Sequence, residues 1–387
     1  MTHHVDNTLL DAVCELLEAY GFDGLAAATT IVLNEAMKVE RTHHLRAAPY
    51  ERTVERRGYA NGFKAKTVKS RLGELALQVP KVREGDFYPA SLEKGLRSER
   101  ALKVALAEMY VQGVSTRKVA AITEQLCGFS VTATEVSRAA QALDDQLTAW
   151  RERPLGAFAY VYLDARYEKV RHGGLVVDVA VLLAAGVRPD GQREVLGCSI
   201  ALSEQEVHWR DFLGSLKDRG LHGIQLFISD AHEGLKAARK AIFPAVPWQR
   251  CQFHLQKNAA GHVPRRSMRR EVAADLRTIF NAPDAAEAGR YLALFVAKYE
   301  TTAPQLAAWA EMAIPEGLTV FQFPPAHGRR LRTSNMLERL SREIKRRTRV
   351  ATLFPNTDSC LRLVTAVVLE ISEEWQTGRR YLNFEDG

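Results

Sequence analysis

The chain has 387 residues, 46% of them hydrophobic and 26% charged, with a formal net charge of +7 and a pI near 9.1. That length allows two to four domains with a sizeable core, and the basic excess favours an anionic partner. Five scattered cysteines (Cys14, Cys127, Cys198, Cys251 and Cys360) argue against a disulfide scaffold, and the pattern is expected to hold neither a signal peptide nor a membrane-spanning stretch, so a cytoplasmic protein with no membrane partner is expected.

Residues 8–40 carry apolar side chains at helical spacing, broken at Gly21 to Gly24, and predict a helical hairpin over 1–40 suited to packing or self-association. In the module 41–98, basic residues outnumber acidic ones roughly twofold or more over the stretch Arg41 to Arg83 and are interleaved with Tyr59, Phe63 and glycines. A short alternating strand follows Gly73, and Lys64, Lys66 and Lys69 are candidate phosphate contacts in this basic module. Residues 99–153 read as three helices. A turn at Gly113 is followed by Ser115 or Thr116 as a cap, Gly128 closes the second helix, and Thr132 or Thr134 caps a last helix running to residue 150. This spacing fits a helix-turn-helix module whose last helix would enter the major groove, with Arg117, Lys118, Arg138 and Gln141 as DNA-binding candidates; a three-helix bundle without a DNA partner has the same pattern.

Beyond a linker at Pro154 to Gly156 the composition turns to strands. AYVYLDARYEKVR, residues 159–171, is a buried-strand pattern interrupted by Asp164, and IQLFISDAHEGL, residues 224–235, is an apolar run ending in Asp230. An ionised carboxylate in a strand costs several kcal/mol unless it is paired, so two of them suggest a shared cation. The order of elements over 157–255 is three meandering strands, then helix, strand, helix and a fifth strand through PWQRCQFHL. This is the order of an RNase H-like mixed α/β sheet, in which the first and fourth strands are neighbours and Asp164 lies beside Asp230. Oxygen ligands alone suit Mg²⁺, and two such ions support in-line phosphoryl transfer. A third acid is then expected.

Residues 256–322 form an all-helical insertion by periodicity, and 323–387 return to the catalytic domain. After Pro324 and Pro325, Thr333 or Ser334 is positioned to cap a helix with Met336, Leu337, Leu340 and Ile344 on an apolar stripe. Glu338, Arg342, Lys345 and Arg349 fall on the opposite, basic face. Glu338 and Glu343 are both candidate third acids, but five residues at about 100° place them roughly 140° apart. Glu343 borders the apolar stripe, where an ion pair with an Arg is expected. Cys251 and His254 have zinc-like spacing without a second Cys/His pair nearby, although His262 could join them, so a structural or DNA-contacting role is expected.

Asp164 in YLDARYEKVR, Asp230 in SDAHEGLKAA, Cys251 and His254 in RCQFHLQKN, and TSNMLERLSREIKR together resemble the Mutator-type bacterial insertion-sequence transposases, from about Tyr59 to Trp375. The resemblance implies an RNase H-like domain with an all-helical insertion and a catalytic, metal-binding DDE triad of Asp164, Asp230 and Glu338. It also implies Mg²⁺ or Mn²⁺ as a pair of ions with DNA bound, and an N-terminal region that binds the element's terminal inverted repeats. Cys251, His254, Asn335, Arg342 and Lys345 are the expected structural or DNA-contacting residues near the site. Ser341 stands where the family commonly has Asn. The expected partners are double-stranded DNA, as element ends and target, and further copies of the chain on that DNA. A catalytically silent DNA-binding regulator and a structure-selective nuclease of the same fold are the rival readings.

Overall fold

A computed structural model describes residues 7–83, 86–92, 94, 98–141, 143–349 and 353–384 of the chain, which divides into two compact units, Met1–Leu143 and Asp144–Gly387. The first opens with α1 (Asn7–Tyr20) and α2 (Leu25–Leu45), joined by a 3₁₀ turn at Gly21–Gly24. The helices approach so closely that a Cβ on Gly24 would lie 2.8 Å from the Leu16 carbonyl oxygen. β1 (Ala60–Ser70) and β2 (Gly73–Val82) form an antiparallel hairpin whose two-residue turn ends at Gly73 with φ +124°. Alternation along β2 sends Leu75, Leu77 and Val79 inward and Glu74, Ala76 and Gln78 outward. Those inward residues build a core with Met37 of α2, Val68 and Leu92.

The segment Thr8–Leu45 reaches a mean hydropathy of 1.3 over 18 residues, enough by length and composition alone for a membrane span, a test that a packed helix of a soluble protein also meets. Three helices follow, α3 (Arg100–Val111), α4 (Thr116–Cys127) and α5 (Ala133–Gln141). Ser115 caps α4 by accepting from the Lys118 N–H at 3.3 Å. At α5, Thr132 Oγ1 accepts from the Glu135 N–H at 3.2 Å while Glu135 accepts from the Thr132 N–H at 2.8 Å, a reciprocal capping box.

The helix expected to run to residue 150 is two helices. α5 ends at Gln141, and α6 (Asp144–Glu152) belongs to the second unit. Its first residue, Asp144, accepts two hydrogen bonds from Arg362 at 2.6 and 2.8 Å, which holds α6 to the helix carrying that arginine.

The second unit is built on β3 (Tyr160–His172), β4 (Leu175–Val187), β5 (Arg193–Ala201), α7 (Glu206–Asp218), β6 (Leu226–Ser229), α8 (Glu233–Ile242) and β7 (Trp248–Arg250). The sheet order is β5-β4-β3-β6-β7, antiparallel across the first three and parallel across the last three. The first and fourth strands are therefore neighbours, as their order along the chain predicts. Odd-numbered side chains of β3 (Val161, Leu163) face the core shared with Trp209, Phe212 and Leu213 of α7 and Leu235 of α8. The fifth strand is shorter than expected: after Cys251 donates its N–H to Ser229 O at 2.8 Å, the chain turns into α9 (Gln252–Ala259). Leu255 and Ala259, spaced four apart, then enter a separate helical core.

That core also joins α10 (Arg269–Phe280), α11 (Ala285–Tyr299) and α12 (Pro304–Ala313). The chain returns through α13 (Pro325–Leu331), α14 (Asn335–Thr348) and α15 (Thr357–Thr377). Met336, Leu337, Leu340 and Ile344 are all buried, as the stripe requires.

Candidate active site

Even-numbered side chains of β3 face α13 and α14 and bind them rung by rung. The Tyr162 hydroxyl donates to Arg330 O at 3.1 Å, an Arg166 N–H donates to Ser341 O, and Glu168 accepts from the Thr348 hydroxyl at 2.9 Å. Helix α14 thus runs alongside β3, and Glu338, between the Arg330 and Ser341 rungs, comes level with Asp164. On the other side, Tyr162 pairs with Ile228 and Ser229 with Arg250. Two further steps along the register from β3 to β6, and one along β7, bring Asp164, inside β3, level with Asp230 and Cys251, the residues that follow the ends of β6 and β7. One turn into α9, His254 joins them.

Among the described residues, Cys251, His254 and Glu338 form the group whose potential ligand atoms all lie within 4.8 Å of one another; Asp164 and Asp230 stand outside that tight group. The partner of the Cys251–His254 pair is thus a carboxylate. His262, in contrast, stacks on Trp309 in the helical insertion at 5.2 Å between ring centroids.

Electrostatics tie the site together. Burial pushes the Asp164 carboxyl up to about 6; His254 opposes that shift, while Asp230 and Glu204 add to it. His254 is pushed up to about 9 by its contact with the Cys251 sulfur and further by Asp230 and Asp164, against the effect of burial. Burial would raise the Cys251 thiol, but hydrogen bonding to His254 and Ser334 outweighs it and holds the thiol below its ordinary value. A protonated imidazole therefore stands among several carboxylates.

Ser334 occupies the cap position of α14, but its side chain makes no cap bond; its N–H donates to Cys251 Sγ at 3.4 Å. Ser334 Oγ, Glu338 Oε1 and Ser341 Oγ are buried without a hydrogen-bond partner and lie at i, i+4 and i+7 on one helix. Buried polar atoms left unpaired cost about 1–3 kcal/mol each, so a stripe of them marks a place for a polar ligand. Glu338 is half-buried, and Arg342 and Lys345, one and two turns further along the same face of α14, are exposed. Glu343 makes the expected structural ion pairs, at 2.6 Å to Arg346 and 3.0 Å to Arg347. Arg347 in turn binds Glu370.

Two features escaped the sequence reading. Glu204 is near enough to act on Asp164 and lies 3.9 Å from His232, yet nothing in the sequence distinguishes it from the neighbouring Glu206. Arg166 ties β3 to α14 and pairs with Glu168 at 2.5 Å; its place two residues after Asp164, on the same strand face, was the available signal. Asn335 opens instead onto an arginine-lined pocket that also holds Arg330 and Arg339.

In the first unit, Lys64 is exposed, whereas Lys66 donates to the Tyr88 hydroxyl at 2.9 Å. Lys69, on the other face of β1, pairs with Glu135 at 2.9 Å and lies over the Phe129 ring. All three lysines nevertheless line one cavity, together with Lys94, Tyr88 and Glu135. Arg117, Lys118, Arg138 and Gln141 are exposed.

Residues 2–378 match the family model described as Transposase, Mutator family. The chain is 57% identical over 386 residues, 99% of its length and 100% of the relative's, to a transposase for insertion sequence element IS406 from Burkholderia multivorans. It is 46% identical over 365 residues (94% and 92% of the two chains) to the transposase for insertion sequence element ISRM5 from Rhizobium meliloti. To the transposase for insertion sequence element IS256 in transposon Tn4001 from Staphylococcus aureus it is 37% identical over 367 residues, 92% of each chain. With a family match running almost end to end above a site of converging carboxylates, this chain belongs to the Mutator family of transposases.

Proposed function

We propose that the chain binds the terminal inverted repeats of its insertion sequence and carries out metal-dependent DNA cleavage and strand transfer, using Asp164, Asp230 and Glu338 as a DDE triad. The observation that supports this reading is the register of β3 and β6, which sets Asp164 beside Asp230, together with the bonds that hold α14, the helix of Glu338, along β3. The mixed five-stranded order, with the first and fourth strands paired, supports an RNase H-like catalytic domain over 157–255 and 323–387, interrupted by the helical segment 256–322. The basic module over 41–98 and the three helices α3 to α5 supply end recognition, the hairpin 1–40 serves packing or self-association, and copies of the chain assemble on DNA in the bacterial cytoplasm.

The donor set fits divalent metal. Glu338 Oε1 is buried and unpaired, and the crowding of acids around Asp164 leaves a demand for positive charge. Asp164, Asp230 and Glu338 would hold Mg²⁺ or Mn²⁺, two ions with DNA bound. Such ions would supply positive charge for the phosphate oxygens and a lowered pKa for the attacking hydroxyl. The protein's own residues set the geometry. Asp164 and Asp230 are fixed by the sheet, Glu338 by α14, and the His254 imidazolium balances the carboxylates until metal and DNA arrive. Arg342 and Lys345, exposed on α14, meet the strand.

The test is a joining assay with DNA carrying the element's ends. Asp164→Asn, Asp230→Asn and Glu338→Gln are each expected to lose cleavage and joining by on the order of 10³-fold or more while end binding persists. Joining that continues in the presence of a chelator, or near wild-type joining by Glu338→Gln, would defeat the assignment.

A further inference from the structure

Beside the first strand register of the sheet, four residues along β3 from Asp164 and against the α14 residues that flank Glu338, lies a cavity of about 190 Å³ lined by Arg193, Arg330, Arg339, Arg379 and Arg380, with Asn335 and Tyr381 completing its wall. No acidic residue lines it, and among the described residues none of the five arginines has an ion-pair partner. Arginines do not collect around a cavity without a cost. Burial, followed by the neighbouring charges of Arg339 and Arg330, holds the Arg193 guanidinium below its ordinary range, and its Nε is buried with no hydrogen-bond partner.

The pocket is nevertheless built. The Tyr381 ring lies between Arg193, 5.2 Å from its centroid, and Arg330, 4.6 Å away, while Arg193 also covers Trp375 at 4.4 Å. The segment carrying Arg379 and Arg380 is strapped down by the Tyr381 N–H donating to Gly191 O at 2.8 Å and by Asn383 O accepting from His327 at 2.9 Å. The first residues of α14, Asn335 and Met336, face the cavity and add the positive end of a 14-residue helix. The volume is below the roughly 300–1,000 Å³ of small-molecule pockets but admits one phosphate group.

We propose that this pocket grips a backbone phosphate of bound DNA, outside the reacting centre. The inference rests on the reading of the chain as a DNA-processing enzyme. Arg193 shares its sheet face with Asp164: Tyr160, Val187 and Arg193 are aligned across three strands, as are Asp164, Leu183 and Cys198. Arg193 is therefore two strands across and four residues along from Asp164, a distance of roughly 16 Å at about 4.8 Å per strand and 3.3 Å per residue. At about 3.4 Å per nucleotide of one strand, the gripped phosphate lies on the order of five nucleotides from the one that reacts. Guanidinium groups suit this task because their forked donors match phosphate oxygens.

The test measures binding of the full chain to a random-sequence 40-base-pair duplex across a salt series. The triple variant Arg330→Gln, Arg379→Gln, Arg380→Gln, all at exposed positions, is expected to reduce the slope of log affinity against log salt by about one unit, the loss of roughly one phosphate contact. Arg339→Gln alone should lower affinity in the same direction if the triple variant fails to fold. As a second readout, inorganic phosphate should raise the melting temperature of the wild type and not that of the triple variant. A wild-type slope near zero would remove the DNA reading itself. A steep wild-type slope left unchanged in both variants would overturn only the pocket's role, and equal phosphate stabilisation of wild type and triple variant would count against it too.

Discussion

Asp164 has a measurable effect on the protein without metal. Its folded value of about 6 lies above the roughly 3.9 of an unfolded Asp, so between about pH 4 and 6 the unfolded chain releases a proton that the folded chain keeps. Stability therefore falls as pH rises through that window, and the full cost persists above it. In chelator, Asp164→Asn should be more stable than wild type at pH 7.5 by on the order of 2–3 kcal/mol, and nearly equal to it at about pH 4. Urea titrations at both values check this, and Mg²⁺ should reverse the order at pH 7.5. A second residue-scale outcome separates the two glutamates of α14. Glu343→Gln removes ion pairs that hold Arg347 and should cost about 1 kcal/mol in denaturant unfolding while joining activity stays within roughly twofold of wild type. A fall in activity comparable to that of Glu338→Gln would exchange their roles. Asp164 and Asp230 were legible in the sequence because a carboxylate breaks a buried-strand pattern visibly. Glu204 was not, and Ser334 and Ser341 were noted only as a cap and a family departure, since a polar residue in a loop or on a helix looks the same whether it faces solvent or a buried site.

Among the elements, the helices of the first unit end where their caps dictate. Gly113 and Gly128 take positive φ of 83° and 72°, and the Thr132–Glu135 box fixes the start of α5. Thr132→Ala should destabilise that unit by about 1 kcal/mol, read as a shift in its melting midpoint. On the same helix Arg138 and Gln141 are exposed, and their replacement by Ala is expected to relax sequence preference for the element's ends. Lys64→Ala should instead weaken binding to specific and random DNA alike. Lys69 acts differently from the sequence expectation: paired with Glu135, its loss should register first as instability of the hairpin against α5. Equal losses on specific and random DNA from all of these changes would remove the distinction. The break between α5 and α6 was invisible to periodicity because the amphipathic pattern runs on unbroken; the division depends on Arg362, far along the chain, binding Asp144. The short fifth strand has a similar cause, since Leu255 and Ala259 suit either a strand or a helix until the insertion's core claims them.

For the molecule as a whole, the core of the first unit decides which fragments fold. Met37 is fully buried against Val68, Leu75, Leu77 and Val79, with Leu33 and Ala26 packed around them. A fragment of residues 41–152 lacks that helix and carries α6 without its α15 partner, so it should be poorly folded, whereas residues 1–143 should fold and bind DNA with steep salt dependence. Circular dichroism melts of the two fragments decide this, and a cooperative melt of 41–152 would contradict it. The strand order of the second unit was readable because local alternation and short connections leave few topologies. The point where the helical insertion leaves and rejoins the sheet carries a further consequence. Gln252 donates its N–H to Arg332 O at 2.9 Å, and Gln249 and Gln252 both donate to Gly317 O, at 2.7 and 2.8 Å. Exit and return are clasped, so everything between them is a closed loop whose length matters little to the sheet, because each doubling of a loop costs only about 0.6 kcal/mol. The insertion is in that sense a removable cassette: a short linker in place of residues 260–312 should leave the carboxylates where they stand, and relatives are free to lengthen, shorten or exchange this segment without rebuilding the centre it interrupts.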